Sequence, residues 1–119
     1  MRYLCLVYYD EKRLEALSKR DVDALVAEAL AYHEALRKSG HLVAAHALQS
    51  VETATTIRRT GDGKPSITDG PFAETKEQLG GFLLIEAKDL NEAMQVASKM
   101  PSGRFAAIEV RPIRELTAA

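Results

Sequence analysis

The sequence predicts a mixed α+β protein in which two helices cover one face of an antiparallel sheet. Three observations carry this prediction: an N-terminal run that is apolar at both alternating sets of positions, two amphipathic segments that begin at helix-capping residues, and a β-branched run that turns at Gly61-Asp62-Gly63. The length of 119 residues suits one domain, and we expect a single domain over residues 1–119.

The first strand is predicted over residues 2–9. Its two alternating sets of side chains are both apolar, with Tyr3, Cys5, Val7 and Tyr9 on one face and Leu4, Leu6 and Tyr8 on the other. A strand of this kind is covered on both faces. The helices can cover one face, and we expect a second subunit on the other.

Two segments have the apolar spacing of amphipathic helices. The first begins after Ser18 and stops at Gly40, and the second begins after Asp89 and stops at Pro101. The side chains that the first helix should bury are Val22, Leu25, Val26, Ala29, His33 and Leu36. The corresponding set in the second helix is Leu90, Ala93, Met94, Ala97 and Met100.

The remaining strands are predicted over residues 42–48, 54–60, 64–68, 81–87 and 106–113. Residues 54–68 form an extra central hairpin. Without this hairpin, the order of the predicted strands and helices is that of the ferredoxin-like βαββαβ fold. The uncovered sheet face is apolar, and a second copy of the sheet is its simplest cover. We therefore expect a homodimer through the sheet face, which is a dimeric α+β barrel.

Composition narrows the class of function. The formal net charge is −1, and the chain lacks the basic patch of a nucleic-acid-binding module. The apolar runs are too short to cross a membrane, and the N-terminus lacks a small-residue cleavage site. We expect a cytoplasmic protein with neither a nucleic-acid nor a membrane partner. Its single cysteine, Cys5, excludes an internal disulfide.

The segment from Thr68 to Gly81 is the richest in turn formers and charged side chains. It reads TDGPFAETKEQLGG and links two predicted strands, so we interpret it as a loop. Loops of this composition carry function more often than core packing. Its two final glycines indicate a bulge or a close approach of backbones just before a strand.

The run DGPFAETKE from Asp69 to Glu77, followed by Gly80-Gly81-Phe82, resembles the signature of the DGPF branch of the YCII-related family. The resemblance extends over nearly the whole chain and implies a dimeric α+β barrel of ferredoxin-like units. Members of this family are small bacterial proteins, mostly of unassigned function. A few enzymes of the wider group act on small aromatic or lactone-like molecules, and some members are encoded near extracytoplasmic-function sigma factors.

The wider family is associated with a His-Asp pair in a pocket, with the histidine on the first helix. In this chain the position expected for that histidine holds Ala29, and His33 lies one helical turn further on. The histidine-dependent mechanism of the family is therefore not transferred to this sequence.

Asp69 and His33 are the candidate catalytic residues. Asp69 precedes a tight Gly-Pro turn, where a carboxylate can act as a general base or can bond backbone amides and shape the turn. His33 lies on the apolar helical stripe and suits acid-base chemistry near neutral pH, although a histidine there is more often a core residue. The candidate ligand-binding residues are His46, Arg58, Phe72, Thr75 and Arg111.

Three of the ligand-binding candidates also have a structural interpretation, and His46 has a further functional one. His46 could face the same pocket as His33, but the histidine spacing is poor for a metal, and we predict no metal site and no cofactor. Arg58 and Arg111 could hold an anionic ligand or could pair with neighbouring charges on their strands. Phe72 could close a pocket or anchor its loop in the core or in a second subunit.

Two functional hypotheses follow. The first is a small-molecule-binding protein or a cofactor-independent enzyme of proton transfer, such as isomerisation or elimination, with Asp69 or His33 as base. The second is a non-catalytic regulatory or interaction domain, linked through the family resemblance to sigma-factor signalling.

Overall fold

The computed structural model describes residues 1–118. Within those residues the backbone forms six strands and three α-helices. The elements are β1 (Arg2–Tyr9), α1 (Glu11–Glu15), α2 (Lys19–Lys38), β2 (Leu42–Ala47), β3 (Thr55–Arg59), β4 (Pro65–Asp69), β5 (Gln78–Glu86), α3 (Leu90–Ser98) and β6 (Ala107–Pro112). Short 3-10 turns cover Val51–Thr53 and Pro101–Arg104.

The main sheet is antiparallel with the strand order β2-β5-β1-β6, and β3 and β4 form a separate two-stranded hairpin. This is the ferredoxin-like arrangement with an inserted hairpin, so the predicted fold class is confirmed. Two boundaries of the predicted loop are wrong, because β4 continues to Asp69 and β5 begins at Gln78. The linking loop spans only residues 70–77.

The core lies between one sheet face and the helices α2 and α3. Strand side chains Tyr3, Cys5, Leu83 and Ile85 are buried there, and the helices add Leu36, Ala93, Val96 and Ala97. Burial raises the pKa of the Cys5 thiol to about 11, which keeps it protonated. Cys5 is a packing residue.

The predicted helix caps are confirmed. The Ser18 hydroxyl accepts a hydrogen bond from the Asp21 backbone N–H at 3.1 Å, and the Asp89 carboxylate accepts one from the Glu92 N–H at 2.9 Å. Gly40 ends α2 with a φ of +82°, a conformation that favours glycine. These caps set where each helix meets the sheet.

Three of the expected core positions are wrong. Val26 on α2 and Leu90 and Met94 on α3 are exposed. The buried residues of α3 are Ala93, Val96 and Ala97, and Met100 is buried just after the helix ends. Leu90 and Met94 lie at the edge of this buried stripe, because successive residues are about 100° apart around a helix.

The other sheet face, which we call the open face, is apolar and half-exposed. It carries Leu4, Leu6, Tyr8, Phe82 and Leu84, which pair across β1 and β5. The alternation predicted for the first strand is confirmed. Its cover by a second subunit stays a prediction.

No helix within residues 1–118 combines the length and the apolar character needed to cross a membrane. The longest is α2, whose 20 residues include charged side chains along its length.

Candidate functional site

A cavity lies between the N-terminal half of α2 and the sheet. Its inner part has a volume of about 190 Å³ and an almost entirely apolar lining drawn from four segments of the chain. Val7 and Tyr9 come from β1, Leu25 and Ala29 from α2, and Phe105 follows the second 3-10 turn. The remaining lining residues are Leu14 of α1, Val22 and Val26 of α2, and Ser102.

An outer cavity of about 370 Å³ adjoins the inner one, because both are lined by Leu14, Leu25 and Phe105. The outer cavity also carries the charged side chains Arg13, Asp21, Glu28 and Arg104. Arg104 forms an ion pair with Glu28 in this outer cavity. The space beside α2 therefore has an apolar part and an adjoining charged part.

The cavity exists because α2 meets the sheet closely only near its C-terminal end. Leu36 is buried, whereas Val22, Leu25 and Ala29 are half-buried. The small side chain of Ala29 leaves space that a larger residue would occupy. The Tyr32 hydroxyl donates a hydrogen bond to the Val96 carbonyl at 2.6 Å, which fixes this part of α2 against α3.

Tyr9 and Ser102 are the two residues of the cavity lining that carry a hydroxyl group. Tyr9 is the larger of the two. Its ring packs edge-on against Phe105, with 6.4 Å between the ring centroids. Burial and, to a lesser degree, the charge of Glu11 raise the pKa of Tyr9 above its ordinary value. The hydroxyl is thus protonated at neutral pH, and it has no hydrogen-bond partner in the described part of the chain.

The glycine pair of the motif makes room for that ring. A Cβ atom on Gly80 would lie 1.9 Å from a ring carbon of Tyr9, and one on Gly81 would lie 2.8 Å from the His46 carbonyl oxygen. Gly80 also occupies a bulge in β5, between the residues paired with Val7 and Tyr8. The predicted bulge and close backbone approach are confirmed.

Asp69 lies at the end of β4, paired in register with Thr55. Its side chain is exposed, and its carboxylate makes no hydrogen bond to any residue in 1–118. The turn is held by other groups: the Gly70 N–H donates to the Ala54 carbonyl at 2.7 Å, and the Thr56 hydroxyl donates to the Gly70 carbonyl at 2.7 Å. Asp69 is free, but it does not line the cavity under α2.

The other motif residues contribute to the shape of the loop. Phe72 is 75% exposed, so the expectation that it anchors in the core of its own chain is wrong. Arg58 donates to the Phe72 carbonyl at 3.4 Å, and the Thr75 hydroxyl donates to the Glu77 carbonyl at 2.5 Å. Thr75 lines a different cavity beside α1, together with charged residues such as Glu11 and Lys12, and does not line the apolar cavity.

His33 and His46 lie on opposite sides of the sheet, so the expectation that they share a pocket is wrong. His33 is half-buried on α2, one turn beyond Ala29, and does not line the cavity. His46 lies on the open face against Phe82, with 5.7 Å between ring centroids. A bulge between Leu42 and Ala44 reverses the alternation of β2 and turns His46 to this face.

Arg111 also lies on the open face, on β6. Its guanidinium is 2.9 Å from Glu109 on the same strand, in the charge-paired arrangement that was one of its two interpretations. Within residues 1–118 no group of three His, Cys, Asp or Glu side chains is placed to hold a metal ion.

Ser39, His41 and Glu92 form a hydrogen-bonded chain between the end of α2 and α3. The His41 ring lies 2.7 Å from the Ser39 hydroxyl and 3.0 Å from the Glu92 carboxylate. The Ser39 hydroxyl also lies 3.0 Å from the Leu36 carbonyl, as is common for a serine that ends a helix. We interpret these hydrogen bonds as a structural link between the end of α2 and α3.

Comparison with known proteins decides the family. The model of the YCII-related domain matches residues 1–117. The chain belongs to the YCII-related family. An uncharacterized protein of Rhizobium meliloti (strain 1021) is 35% identical to it over 115 residues, which is 95% of this chain and 92% of that protein.

The YCII-related chain also resembles a solved structure. This is 5-chloro-2-hydroxyhydroquinone dehydrochlorinase (TftG) from Burkholderia phenoliruptrix AC1100, in complex with 2,5-dihydroxybenzoquinone. The TM-score is 0.55 at 20% identity, over 96% of this chain and 94% of the other. At that identity the likeness concerns the fold.

Tyr9, Leu14 and Phe105 were not recognised as site residues in the sequence. They are distant along the chain, and only the tertiary structure brings them to one cavity. Gly80 was the available signal, because a glycine at a strand bulge often marks a site where another group approaches the backbone closely.

Proposed function

We propose that this YCII-related chain binds a small, single-ring molecule in the cavity under α2. The observation that carries the proposal is an apolar cavity of about 190 Å³ under α2 whose lining includes the aromatic side chains of Tyr9 and Phe105. Small-molecule sites are typically apolar with a few placed polar groups.

The size of the cavity supports a ring-sized ligand. An engineered apolar cavity of about 150 Å³ in another protein stays dry and binds benzene. The apolar cavity here has a somewhat larger volume and is partly open to solvent, and the charged side chains of the adjoining cavity can contact polar substituents on the ring. The molecule bound to TftG, 2,5-dihydroxybenzoquinone, is a single ring with oxygen substituents, and a ligand of that class would fit both parts.

The family resemblance supports the same location. The position at which the family histidine is expected holds Ala29, and Ala29 lines this cavity. We further propose, from the motif that begins at Asp69, that the chain belongs to the DGPF branch.

In this proposal Tyr9 acts as a hydrogen-bond donor to an oxygen of the ligand. Any proton transfer in the cavity, such as isomerisation or elimination without a cofactor, would use Tyr9 as the acid. Neither Asp69 nor His33 lines the cavity, so a base role for either requires a different ligand position. The regulatory alternative gains no support from the family match or from the two relatives.

A cavity-filling substitution tests the proposal. Phenol is titrated into isotope-labelled protein, and the titration is followed by two-dimensional NMR. We expect the resonances of Val7, Leu25 and Phe105 to shift and to reach saturation. Ala29→Leu should abolish that titration. Ala31→Leu adds the same side chain to an exposed position of the same helix and should leave it unchanged.

Two outcomes would contradict the proposal. One is the absence of saturable shifts in the wild-type chain with phenol, benzene and 2,5-dihydroxybenzoquinone. The other is equal binding by Ala29→Leu and the wild type, which would locate the ligand elsewhere.

A further inference from the structure

Ser39, His41 and Glu92 place a hydroxyl, an imidazole and a carboxylate in series. An ionised carboxylate can only accept a hydrogen bond, so in a neutral His41 the hydrogen lies on Nε2, which is 3.0 Å from Glu92. The other ring nitrogen, Nδ1, is then an acceptor. Nδ1 lies 2.7 Å from the Ser39 hydroxyl, so the ring is placed to take the hydroxyl proton. In serine proteases the same three groups meet with the two ring nitrogens exchanged.

The Ser39 hydroxyl proton has two possible acceptors. One is the Leu36 carbonyl at 3.0 Å, which already accepts a hydrogen bond from the His41 backbone N–H at 2.9 Å. The contact with Nδ1 is the shorter of the two. Because the carbonyl is satisfied without the serine, the hydroxyl proton is available to the imidazole.

The backbone holds both partners of the ring. The His41 carbonyl accepts a hydrogen bond from the Glu86 N–H at 2.7 Å, which fixes His41 to the end of β5. Glu92 lies in the first turn of α3, where its own N–H donates to the Asp89 carboxylate and its carboxylate lies 3.4 Å from the Lys88 N–H. The series is therefore built on fixed backbone, as sites that carry chemistry require.

The three side chains line a cavity of about 370 Å³ between α2 and α3, which we call the interhelical groove. The groove is open to solvent, and Ser39 is exposed. It shares no lining residue with the two cavities beside the N-terminal half of α2. Tyr32 and Lys99 also line it, and Lys99 brings a positive charge that can stabilise an oxyanion.

The backbone next to Ser39 limits the chemistry. The N–H groups of Ser39, Gly40 and His41 all donate to carbonyls of α2, so none of these three is available to an oxyanion. Since backbone N–H groups are the usual oxyanion donors, we expect a site that reacts only with esters whose alcohol is a good leaving group.

We propose that Ser39 is the nucleophile of an acyl-transfer site in the interhelical groove, with small activated esters of carboxylic acids as substrates. Ser39 Oγ bonds to the acyl carbon and its proton passes to His41 Nδ1. The bond from that carbon to the alcohol oxygen breaks, and the alcohol leaves with the proton. Water then attacks the acyl-serine and gives a proton to Nδ1, which returns it to Oγ as the carboxylic acid departs. Glu92 is a positioning residue, because it contacts the imidazole alone.

This site is independent of the ligand proposed above, and a biotinylated fluorophosphonate tests it. The probe forms an Oγ–P bond with an activated serine and loses fluoride. We expect peptide mass spectrometry to find the label of the wild-type chain on Ser39, and Ser39→Ala to lose it. Ser98→Ala is the matched control: the Ser98 hydroxyl also donates to a carbonyl three residues earlier, at 2.9 Å, but forms no hydrogen bond with a histidine within residues 1–118.

Two further variants separate the roles of the histidine and the glutamate. His41→Gln should be labelled about a hundredfold more slowly, which is the order of general-base catalysis. Glu92→Gln should lower the maximal labelling rate about tenfold, the order of one hydrogen bond to a charged group. The probe concentration that gives the half-maximal rate should stay unchanged in Glu92→Gln, because Glu92 does not contact the probe. A merely structural change would move both quantities.

Turnover is measured with 4-nitrophenyl acetate, whose hydrolysis should be lost in Ser39→Ala and retained in Ser98→Ala. Thermal midpoints confirm that each variant is folded. A wild-type chain without label on Ser39 would overturn the proposal, whatever the variants do. The same holds if His41→Gln is labelled as fast as the wild type, or if Ser39→Ala hydrolyses the ester at the wild-type rate.

Discussion

The ring of Tyr9 lies directly over the backbone of Gly80, with no room for a methyl group between them. This contact joins the end of β1 to the bulge of β5. The Tyr9 side chain lines the cavity under α2, so a glycine of the motif limits the position of a residue about seventy positions earlier in the chain.

Gly80→Ala should displace the Tyr9 ring and destabilise the fold by about 1–3 kcal/mol, as overpacked sites do. Urea denaturation measures the change. Gly61→Ala is the matched control, because a Cβ there meets nothing within 4 Å and its φ is not in the left-handed region. A double-mutant cycle with Tyr9→Ala should show that most of the Gly80→Ala cost disappears once the ring is gone. Strictly additive effects would mean that the ring is not the obstacle.

Tyr9→Phe should weaken phenol binding about fivefold, which corresponds to roughly 1 kcal/mol for one hydrogen bond. Benzene, which has no oxygen to accept that hydrogen bond, should bind both proteins equally. NMR titration of the two ligands into the two proteins gives the four constants. Equal loss of affinity for both ligands would point to a change in cavity shape.

Tyr32→Phe should lower the free energy of unfolding by about 1 kcal/mol, because the Val96 carbonyl loses its partner between α2 and α3. Tyr8→Phe removes a hydroxyl from the open face, where Tyr8 makes no hydrogen bond within residues 1–118, and should be close to neutral. Urea midpoints measured side by side distinguish the two. A Tyr8→Phe cost as large as that of Tyr32→Phe would contradict this assignment.

His33 should make stability fall in mild acid. Burial first, and then the charge of Arg37, lower the pKa of His33 below its ordinary value. The unfolded chain therefore binds this proton more tightly, and the contribution of His33 is complete above pH about 6.5 and is lost as the pH falls toward the depressed pKa. In His33→Gln the difference in unfolding free energy between about pH 7.5 and about pH 5.5 should shrink. His46→Gln, on the open face, is the control, and an unchanged difference in His33→Gln would rule out this origin.

Cys5 should resist thiol reagents in the native protein. The side chain is fully buried and its pKa is raised to about 11, so neither access nor ionisation favours reaction. Labelling with a chromogenic disulfide reagent should be slow in buffer and complete in denaturant. Rapid stoichiometric labelling of the folded chain would contradict the packing described for β1.

The regular elements of the fold could be predicted from local sequence. Ser18, Asp89 and Gly40 mark helix ends by hydrogen bonds that involve only near neighbours, and the Gly61-Asp62-Gly63 turn defines the hairpin in the same way. The helix α1 was missed because its five residues are too few to show an apolar period.

The site depends on relationships that local patterns do not contain. The sheet face on which His46 lies is set by a bulge three residues earlier in β2. The alanine-rich sequence around that bulge does not predict it. The cavity requires β1, α1, α2 and the second 3-10 turn to meet, and each supplies only one to four of its side chains. The sequence correctly placed Asp69 at a turn. Only the structure shows that hydrogen bonds to the Ala54 carbonyl and from the Thr56 hydroxyl hold this turn, which leaves the Asp69 carboxylate free of backbone hydrogen bonds within residues 1–118.

The β3–β4 hairpin is inserted into the fold at a point away from the cavity lining. β2 ends beside the start of β5, with Ala47 paired to Gly81, so the excursion between them leaves and re-enters the sheet at neighbouring points. The residues around the cavity under α2 lie outside that excursion. A relative could therefore lengthen, shorten or replace the β3–β4 hairpin while keeping the residues that line the cavity under α2.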